Sequence, residues 1–415
     1  MMCASRLLLV QASTLAMLLL ATRGYANPAQ LTGEVTAGLW SSNRMLDDRH
    51  AVSSNRLKLN LDWQASDNLQ LRSAVWALSS PERLDGKRED AGVTEFYIRN
   101  RDWPCTPALG RKLVLWGRAD GINPTDLVSP TNFRRLTPEN NDQRSGNWGL
   151  HLDCAAGQGR LQVHVLDRFE FNDVPLRQTP GVTFIEEDPS VRPTLALKYD
   201  VLGSSADWSV SFIDGHDPFP TFAVRNMTPQ GITLGQYATR MRMLGSDLTL
   251  VRGETAYRAE IAWVDFQQAS ATSVARRRPY TSLIGGAEWY LGDRETVSVQ
   301  GFWRHLQSVS SRPGNPLMEQ VQEAQALISN ERDTDQYGLT FRYARPFLDS
   351  KANLDIFAVW TEPRGDWMLR GRVKYALTDS WRINTGFDLF RGPQDAFLGQ
   401  LRNNSLTFVE ASYLW

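Results

Sequence analysis

Polar and apolar residues alternate along many short segments of this chain. The segment Arg56–Trp63 reads RLKLNLDW, and the run NLQLRSAVWAL that begins at Asn68 repeats the pattern. Because successive side chains of a β-strand point to opposite faces, such segments predict strands with one polar and one apolar face. About 18 segments fit this pattern between Leu31 and Trp415, and a count of about 16 stays open.

The connections between these segments alternate in length. They are short after even-numbered segments, as at Ser66-Asp67, and long after odd-numbered segments, as at Arg118–Ser145. Short turns at one end and long loops at the other are typical of outer-membrane β-barrels, whereas a soluble β-sandwich has no reason to sort its loops in this way. One long connection contains Pro316–Ser329, whose apolar residues recur at helical spacing and predict a short helix.

The aromatic residues and the end of the chain favour the same fold. The sequence has 14 Trp and 11 Tyr residues, many of them at the ends of predicted strands, where barrels carry aromatic girdles. The chain stops on Trp415 with Tyr413 two residues earlier, which resembles the final strand that outer-membrane barrels present to their assembly machinery. We therefore predict an all-β chain that forms a single transmembrane antiparallel barrel, with short periplasmic turns and long extracellular loops.

The first 26 residues have the pattern of a secretory signal. Arg6 precedes an apolar stretch from Leu7 to Ala21, and we expect cleavage after Ala26. A membrane anchor is the alternative, but the apolar stretch is short for a spanning helix, which needs about 20 residues. Residues 27–415 are predicted to form the barrel as one domain in the outer membrane. The expected partners are lipid, lipopolysaccharide and the barrel assembly machinery.

Two cysteines follow the predicted signal segment. Cys105 is expected in the turn after the fourth strand, and Cys154 at the start of the turn after the sixth strand. Export to an oxidising compartment permits a disulfide between them without requiring one.

The long connection Arg118–Ser145 is rich in charged residues but also carries apolar ones. We place the fifth strand at Arg111–Gly117 and a turn at Asn123–Asp126. A loop of 28 residues in a compact barrel is usually functional or disordered. We predict that it folds into the lumen and narrows it, and a loop exposed outside the barrel is the alternative. The residues expected to face the pathway are Arg118, Asp120, Asp126, Arg134 and Arg135.

The polar face of the strands carries more basic than acidic residues, and the excess lies in the first and last strands. These strands become neighbours when the barrel closes, and a field of this sign would concentrate anions. The predicted lumenal basic ladder comprises Arg56, Lys58, Arg72, Arg99, Arg342, Arg370, Arg372, Lys374 and Arg382, with Arg240, Arg242 and Arg304 as further inward positions. The alternative is a mixed-charge lining that only keeps the lumen hydrated. The formal net charge of −1 argues against a nucleic-acid partner, which would need a basic excess.

One stretch of the sequence resembles a known family. The segment GRKLVLWGRADGINPTDLVSP (Gly110–Pro130) followed by LTPENNDQR (Leu136–Arg144) resembles a motif of uncharacterised proteobacterial porin-like proteins. The segment Val251–Phe266 resembles their membrane hairpins, and the strand count and polar lumen resemble alginate-export pores. The resemblance implies diffusion or export through a pore, without a cofactor.

We therefore predict a channel, not an enzyme, for small polar or anionic solutes or for export of an anionic polysaccharide. A barrel hydrolase is one alternative, for which His151 with Asp153 and His305 near Ser308 are the candidate pairs. Neither pair has a recognisable flanking motif. A structural or adhesin barrel with a closed lumen is the other alternative.

Overall fold

The computed structural model describes residues 29–42, 50–80, 89–101, 104–135, 137–174, 181–186, 192–229, 231–267, 277–292, 294–307 and 316–415. The predicted signal segment and its cleavage point lie outside these residues. Within them, no helix has both the length and the apolar composition needed to cross a membrane.

Nearly all regular structure of the described residues is β-sheet. The elements in chain order are β1 (Gln30–Ser42), β2 (Ala51–Gln64), β3 (Leu69–Ser79), β4 (Glu89–Asn100), β5 (Cys105–Lys112), β6 (Asn147–Ala156), β7 (Gly159–Leu166), β8 (Val182–Glu186), β9 (Thr194–Leu202), β10 (Ala206–His216), β11 (Thr221–Thr228), β12 (Gly231–Tyr237), β13 (Arg240–Arg252), β14 (Thr255–Gln267), β15 (Tyr280–Leu291), β16 (Glu295–Leu306), α1 (Pro316–Ile328), β17 (Asp335–Phe347), β18 (Ala352–Glu362), β19 (Asp366–Ala376), β20 (Trp381–Arg391) and β21 (Leu406–Leu414). The helix predicted at Pro316–Ser329 is thus confirmed as α1.

Eighteen of these strands form one closed antiparallel barrel, which confirms the predicted fold. Each barrel strand pairs with its neighbours along the chain, and β1 closes the sheet by pairing with both β2 and β21. The remaining strands, β8, β11 and β12, form a small separate sheet within the long loops.

The two faces of the barrel differ in polarity. On β1, Val35 and Leu39 are 46% and 62% exposed. The residues that follow each of them, Thr36 and Trp40, are almost fully buried. The same alternation recurs on other barrel strands, so that rows of large apolar side chains cover the outside. Such an apolar surface is unfavourable in water and favourable in lipid. The opposite face of the sheet therefore lines the lumen.

The fifth strand does not lie where the sequence pattern placed it. We predicted Arg111–Gly117, but β5 is Cys105–Lys112 and pairs with β6 over its whole length. After Lys112 the chain leaves the sheet: the backbone N–H of Leu113 donates to the Glu95 carboxylate, and that of Val114 donates to the Ser129 hydroxyl. The apolar alternation of this segment therefore arises from packing inside the barrel, not from a strand.

The cysteines lie within strands, not in turns as we predicted. Cys105 begins β5 and is the cross-strand partner of Cys154 on β6. Their sulfur atoms are bonded in the structure. Both residues share the outer-face parity of Leu109 and Leu150, which are exposed, so the bridge joins two neighbouring strands on the outside of the barrel.

A buried ion triad connects three of the long loops. Arg277, which follows β14, pairs with Asp217 after β10 and lies 2.7 Å from Glu331 before β17. All three side chains are less than 5% exposed. Burial opposes the charge of Arg277, but the two carboxylates outweigh that effect and raise the pKa of its guanidinium. Each buried charge of the triad is therefore stabilised by a neighbouring charge of opposite sign.

We expect Arg277→Met to release these loops without unfolding the barrel. Removing one partner of a buried charge group costs about 3–5 kcal/mol, because the other charges stay buried and unpaired. Limited proteolysis of the folded protein should cut the long loops at least about tenfold faster. The neighbouring exposed Arg332 supplies the control, since Arg332→Met should leave the cleavage rate unchanged. Equal cleavage rates in both variants would contradict the assigned role of the triad.

Candidate pore and its inward loop

The chain between β5 and β6 runs through the inside of the barrel. We call residues 113–146 the inward loop. Arg118 pairs with carboxylates on β9, β10 and β13, Asp120 lies 3.3 Å from Arg342 on β17, and Asp142 pairs with Lys58 on β2. One segment can reach inner-face residues on such widely separated strands only by passing through the lumen.

An apolar core attaches the inward loop to one half of the wall. Val114, Trp116 and Val128 of the loop belong to a buried cluster whose other members project from β7, β9, β10 and β13–β16. The wall residues of this cluster are Leu166, Ala196, Ile213, Met241, Met243, Ala262, Val264, Phe266, Tyr280 and Leu306. Burial of these side chains favours a fixed position for the loop, because each large apolar side chain removed from water contributes about 1.5–3 kcal/mol.

This core reverses the predicted orientation of β13. Leu244 and Leu248 mark its outer face by their exposure, and Arg240 and Arg242 share their parity. The two arginines therefore point outward, not into the lumen as we predicted, and Arg240 lies 2.6 Å from Asp214 on the same face. The inward positions belong to methionines because the apolar side of the inward loop packs there.

A buried carboxylate holds the turn of the inward loop. Glu260 on β14 accepts hydrogen bonds from the backbone N–H groups of Arg118 and Ala119, and from the Thr125 hydroxyl at 3.2 Å. Gly117 has a positive φ of 92°, and a Cβ atom there would lie 2.9 Å from the same carboxylate. A glycine is therefore required at this position by both conformation and space.

The five residues predicted to face the pathway all lie in the inward loop, and each of them contacts another side chain or the backbone. Arg118 contacts Asp200, Asp207 and Asp247. The other four residues also have partners. Asp120 pairs with Arg258 and Arg342, Asp126 with Arg144, and Arg134 with Asp173. Arg135 lies over the Trp76 ring and donates to the Asp142 carbonyl. Arg118 therefore acts as an anchor that neutralises wall carboxylates.

All nine residues of the predicted basic ladder have inner-face parity. They project from β17, β19 and β20 and from β2, β3 and β4, and the pairing of β1 with β21 brings these strands into one sector. We call this sector the basic wall. The strands opposite it contribute the inward acids Asp200, Asp207, Asp247, Glu260 and Glu288. The same strands also contribute inward cations, Lys198, Arg258 and Arg304, so the side of the lumen to which the loop is attached carries charges of both signs.

Wall carboxylates neutralise part of the basic wall. Arg370 and Arg372 share Asp388 at 2.9 and 3.1 Å, and Arg56 lies 2.7 Å from Glu410. Similar pairs join Arg72 to Glu95 and Arg342 to Asp355, while Arg99 donates to Gln70. Lys374 and Arg382 differ, because no wall carboxylate of the described residues pairs with either of them. The predicted alternative of a mixed-charge lining thus applies to the paired residues.

The candidate hydrolase pairs are not assembled among the described residues. His151 lies with its Nδ1 atom 3.0 Å from Nδ1 of His164, while Asp153 pairs with Arg160. His305 contacts Asp335 at 2.8 Å, and its proposed partner Ser308 lies outside the described residues. Within the described ranges, no three His, Cys, Asp or Glu side chains are grouped as metal ligands would be.

The C-terminal residues complete the closure of the barrel. Tyr413 and Trp415 are 39% and 49% exposed, and their rings stack with centroids 6.1 Å apart. The backbone of Trp415 exchanges two hydrogen bonds with Gly33 on β1, each 3.1 Å long. An assembly signal at these residues stays a prediction.

The barrel resembles solved structures of outer-membrane porins of the Occ family. OccAB1 of Acinetobacter baumannii matches with a TM-score of 0.58 and 8% identity, over 94% of this chain and 96% of that one. OccD3 (OpdP) of Pseudomonas aeruginosa has a TM-score of 0.53 and 11% identity, with coverages of 93% and 91%. OpdK of Pseudomonas aeruginosa, solved with vanillate, has a TM-score of 0.55 and 11% identity, with coverages of 93% and 98%.

At these identities the likeness establishes the fold, which is that of an 18-stranded porin barrel. No protein-family profile and no curated protein sequence matches the chain.

We expect Arg118→Ala to make the lumen more negative and the inward loop less fixed. The change leaves Asp200 and Asp207 without their contact to the loop, and among the described residues Asp247 keeps Lys198 and Ser209. Reversal potentials in a salt gradient across a planar bilayer should shift toward cations, with larger current fluctuations. Arg294→Ala, in an exposed turn outside the lumen, is the control. An unchanged reversal potential would contradict the anchoring role of Arg118.

Proposed function

We propose that this protein is an outer-membrane channel through which small anionic solutes diffuse passively. The observation that carries the proposal is the division of the lumen. The inward loop and its apolar core occupy the side formed by β7, β9, β10 and β13–β16, whereas the basic wall borders the other side. A path along the basic wall would attract anions and slow cations. Arginine side chains also suit contact with carboxylates and phosphates.

The similarity to porins supports passage of small solutes over the other predicted substrates. OpdK, one of the similar structures, was solved with vanillate, whose carboxylate is the kind of group that a basic wall would attract. The similar structures give no support to export of a polysaccharide or to hydrolysis. An inward loop that crosses the lumen also narrows the path, which favours small solutes over a polymer chain.

Under this proposal, the segment Gly110–Pro130, which resembles porin-like proteins, has a structural role in the pore. The segment supplies the end of β5 and the part of the inward loop that Glu260 and the apolar core hold in place. Within it, Arg118 pairs with Asp247 on β13, and Asp120 pairs with Arg342 on β17. The motif would then set the position of the narrowing.

Conductance of the refolded protein in a planar bilayer tests the proposal. We expect open channels whose reversal potential in a KCl gradient indicates anion selectivity. Lys374→Gln combined with Arg382→Gln should lower the anion-to-cation permeability ratio about two- to fivefold, since each charge near the path contributes roughly 0.2–0.5 kcal/mol in screened water. These two residues are chosen because their loss leaves no wall carboxylate unpaired.

Lys351→Gln, in an exposed turn between β17 and β18, removes a positive charge away from the lumen and should leave the ratio unchanged. Cation selectivity of the unmodified protein would overturn the anionic part of the proposal. An absence of conductance, even after deletion of the inward loop, would overturn the channel itself and favour a structural barrel.

A further inference from the structure

We propose that Glu139 of the inward loop determines the selectivity of the channel by occupying the basic wall in place of a solute anion. An anion that moves along this wall would have to displace the Glu139 carboxylate from Lys374. The inference rests on the proposed channel function and adds to it a residue that regulates access to the wall.

The geometry places loop oxygens on the cations of the basic wall. The inward loop forms a short 3-10 helix at Asn140–Gln143, and the residues around it face β19 and β2. Glu139 Oε1 accepts a hydrogen bond from Lys374 Nζ, and Asn140 Oδ1 accepts one from Arg370 at 2.6 Å. Oxygen acceptors on these cations are what the carboxylate of a bound solute would also present.

A solute anion could replace the Glu139 carboxylate on Lys374, because this ion pair is exposed. Both side chains of the pair with Lys374 are 49% exposed, and an ion pair this exposed contributes only about 0–1 kcal/mol. By contrast, Arg56 and Glu410 form a wall pair with 8% and 0% exposure. A solute anion can therefore replace Glu139 at little cost, whereas it cannot replace Glu410.

The Glu139 side chain is also not needed to fold the loop. Among the described residues its carboxylate forms an ion pair with Lys374 alone, although its charge also acts on Arg372, and it makes no capping hydrogen bond to the helix that follows. Lys374 in turn has no wall carboxylate as a partner among those residues. Removal of the Glu139 charge should therefore expose one lysine to the lumen while the loop keeps its position.

Asp142 resembles Glu139 but has a mixed role. It pairs with Lys58, yet it also accepts a hydrogen bond from the Thr137 hydroxyl at 3.1 Å within the loop. Lys58 retains Glu34 at 3.6 Å when Asp142 is neutralised. We therefore expect Asp142→Asn to change selectivity less than Glu139→Gln does.

Planar-bilayer recordings of Glu139→Gln test the inference. The anion-to-cation permeability ratio in a KCl gradient should rise about twofold, since one charge a few ångströms from the path is removed in screened water. Benzoate added as a probe anion should block the chloride current at a concentration about two- to threefold lower. Glu139→Asp keeps the charge and should retain the original selectivity. The double variant Glu139→Gln with Lys374→Gln should lose the gain.

A matched control is Glu295→Gln. Glu295 also pairs with a cation, Arg345 at 2.8 Å, but both lie on the outer face. This variant should behave as the unmodified protein does. Conducting Glu139→Gln channels with the original permeability ratio and the original benzoate block would overturn the inference and leave the channel function intact. Failure of the unmodified protein to conduct would instead overturn the channel function, and this inference with it.

Discussion

The hydrocarbon of a membrane offers no partner to backbone N–H and C=O groups, so a sheet that spans it has to close on itself. In this chain β1 provides the closure by pairing with β21 from Glu34–Leu414 to Ser42–Leu406. Closure gives every strand an outer and an inner face, because side chains alternate. It also makes the first and last strands neighbours, so that Arg56 and Glu410 meet although they are 354 residues apart in the chain.

The inner face of the closed barrel is not uniform. On β7, β9, β10 and β13–β16 it carries an apolar core and buried carboxylates, which fix the inward loop through Trp116, Arg118 and its neighbours. On the other strands it carries the basic wall, which the same loop contacts through polar side chains and through backbone N–H groups. The chemistry of the lumen thus depends on where one loop is attached, because its apolar residues pack against one side of the barrel and its polar residues reach the other.

Much of the fold could be predicted from the sequence because period-two alternation is a local property. Segments such as Arg56–Trp63 carry both the strand and its two faces in their own residues, and the nine basic-ladder residues were placed on the inner face by this rule alone. The rule failed where tertiary contacts replaced the expected surroundings. At Leu113–Trp116 the same alternation belongs to a loop, and on β13 the methionines point inward while Arg240 and Arg242 point out.

The sequence by itself determined the all-β class, the approximate strand count and the polarity of most strands, because these depend on residues that are close together along the chain. Only the tertiary structure decided the partners of those residues. No local pattern shows that Glu260 accepts a hydrogen bond from the backbone N–H of Arg118, or that Glu139 pairs with Lys374, 235 positions away. Such contacts depend on the path of the inward loop through a closed barrel, and that path is set by packing between distant segments.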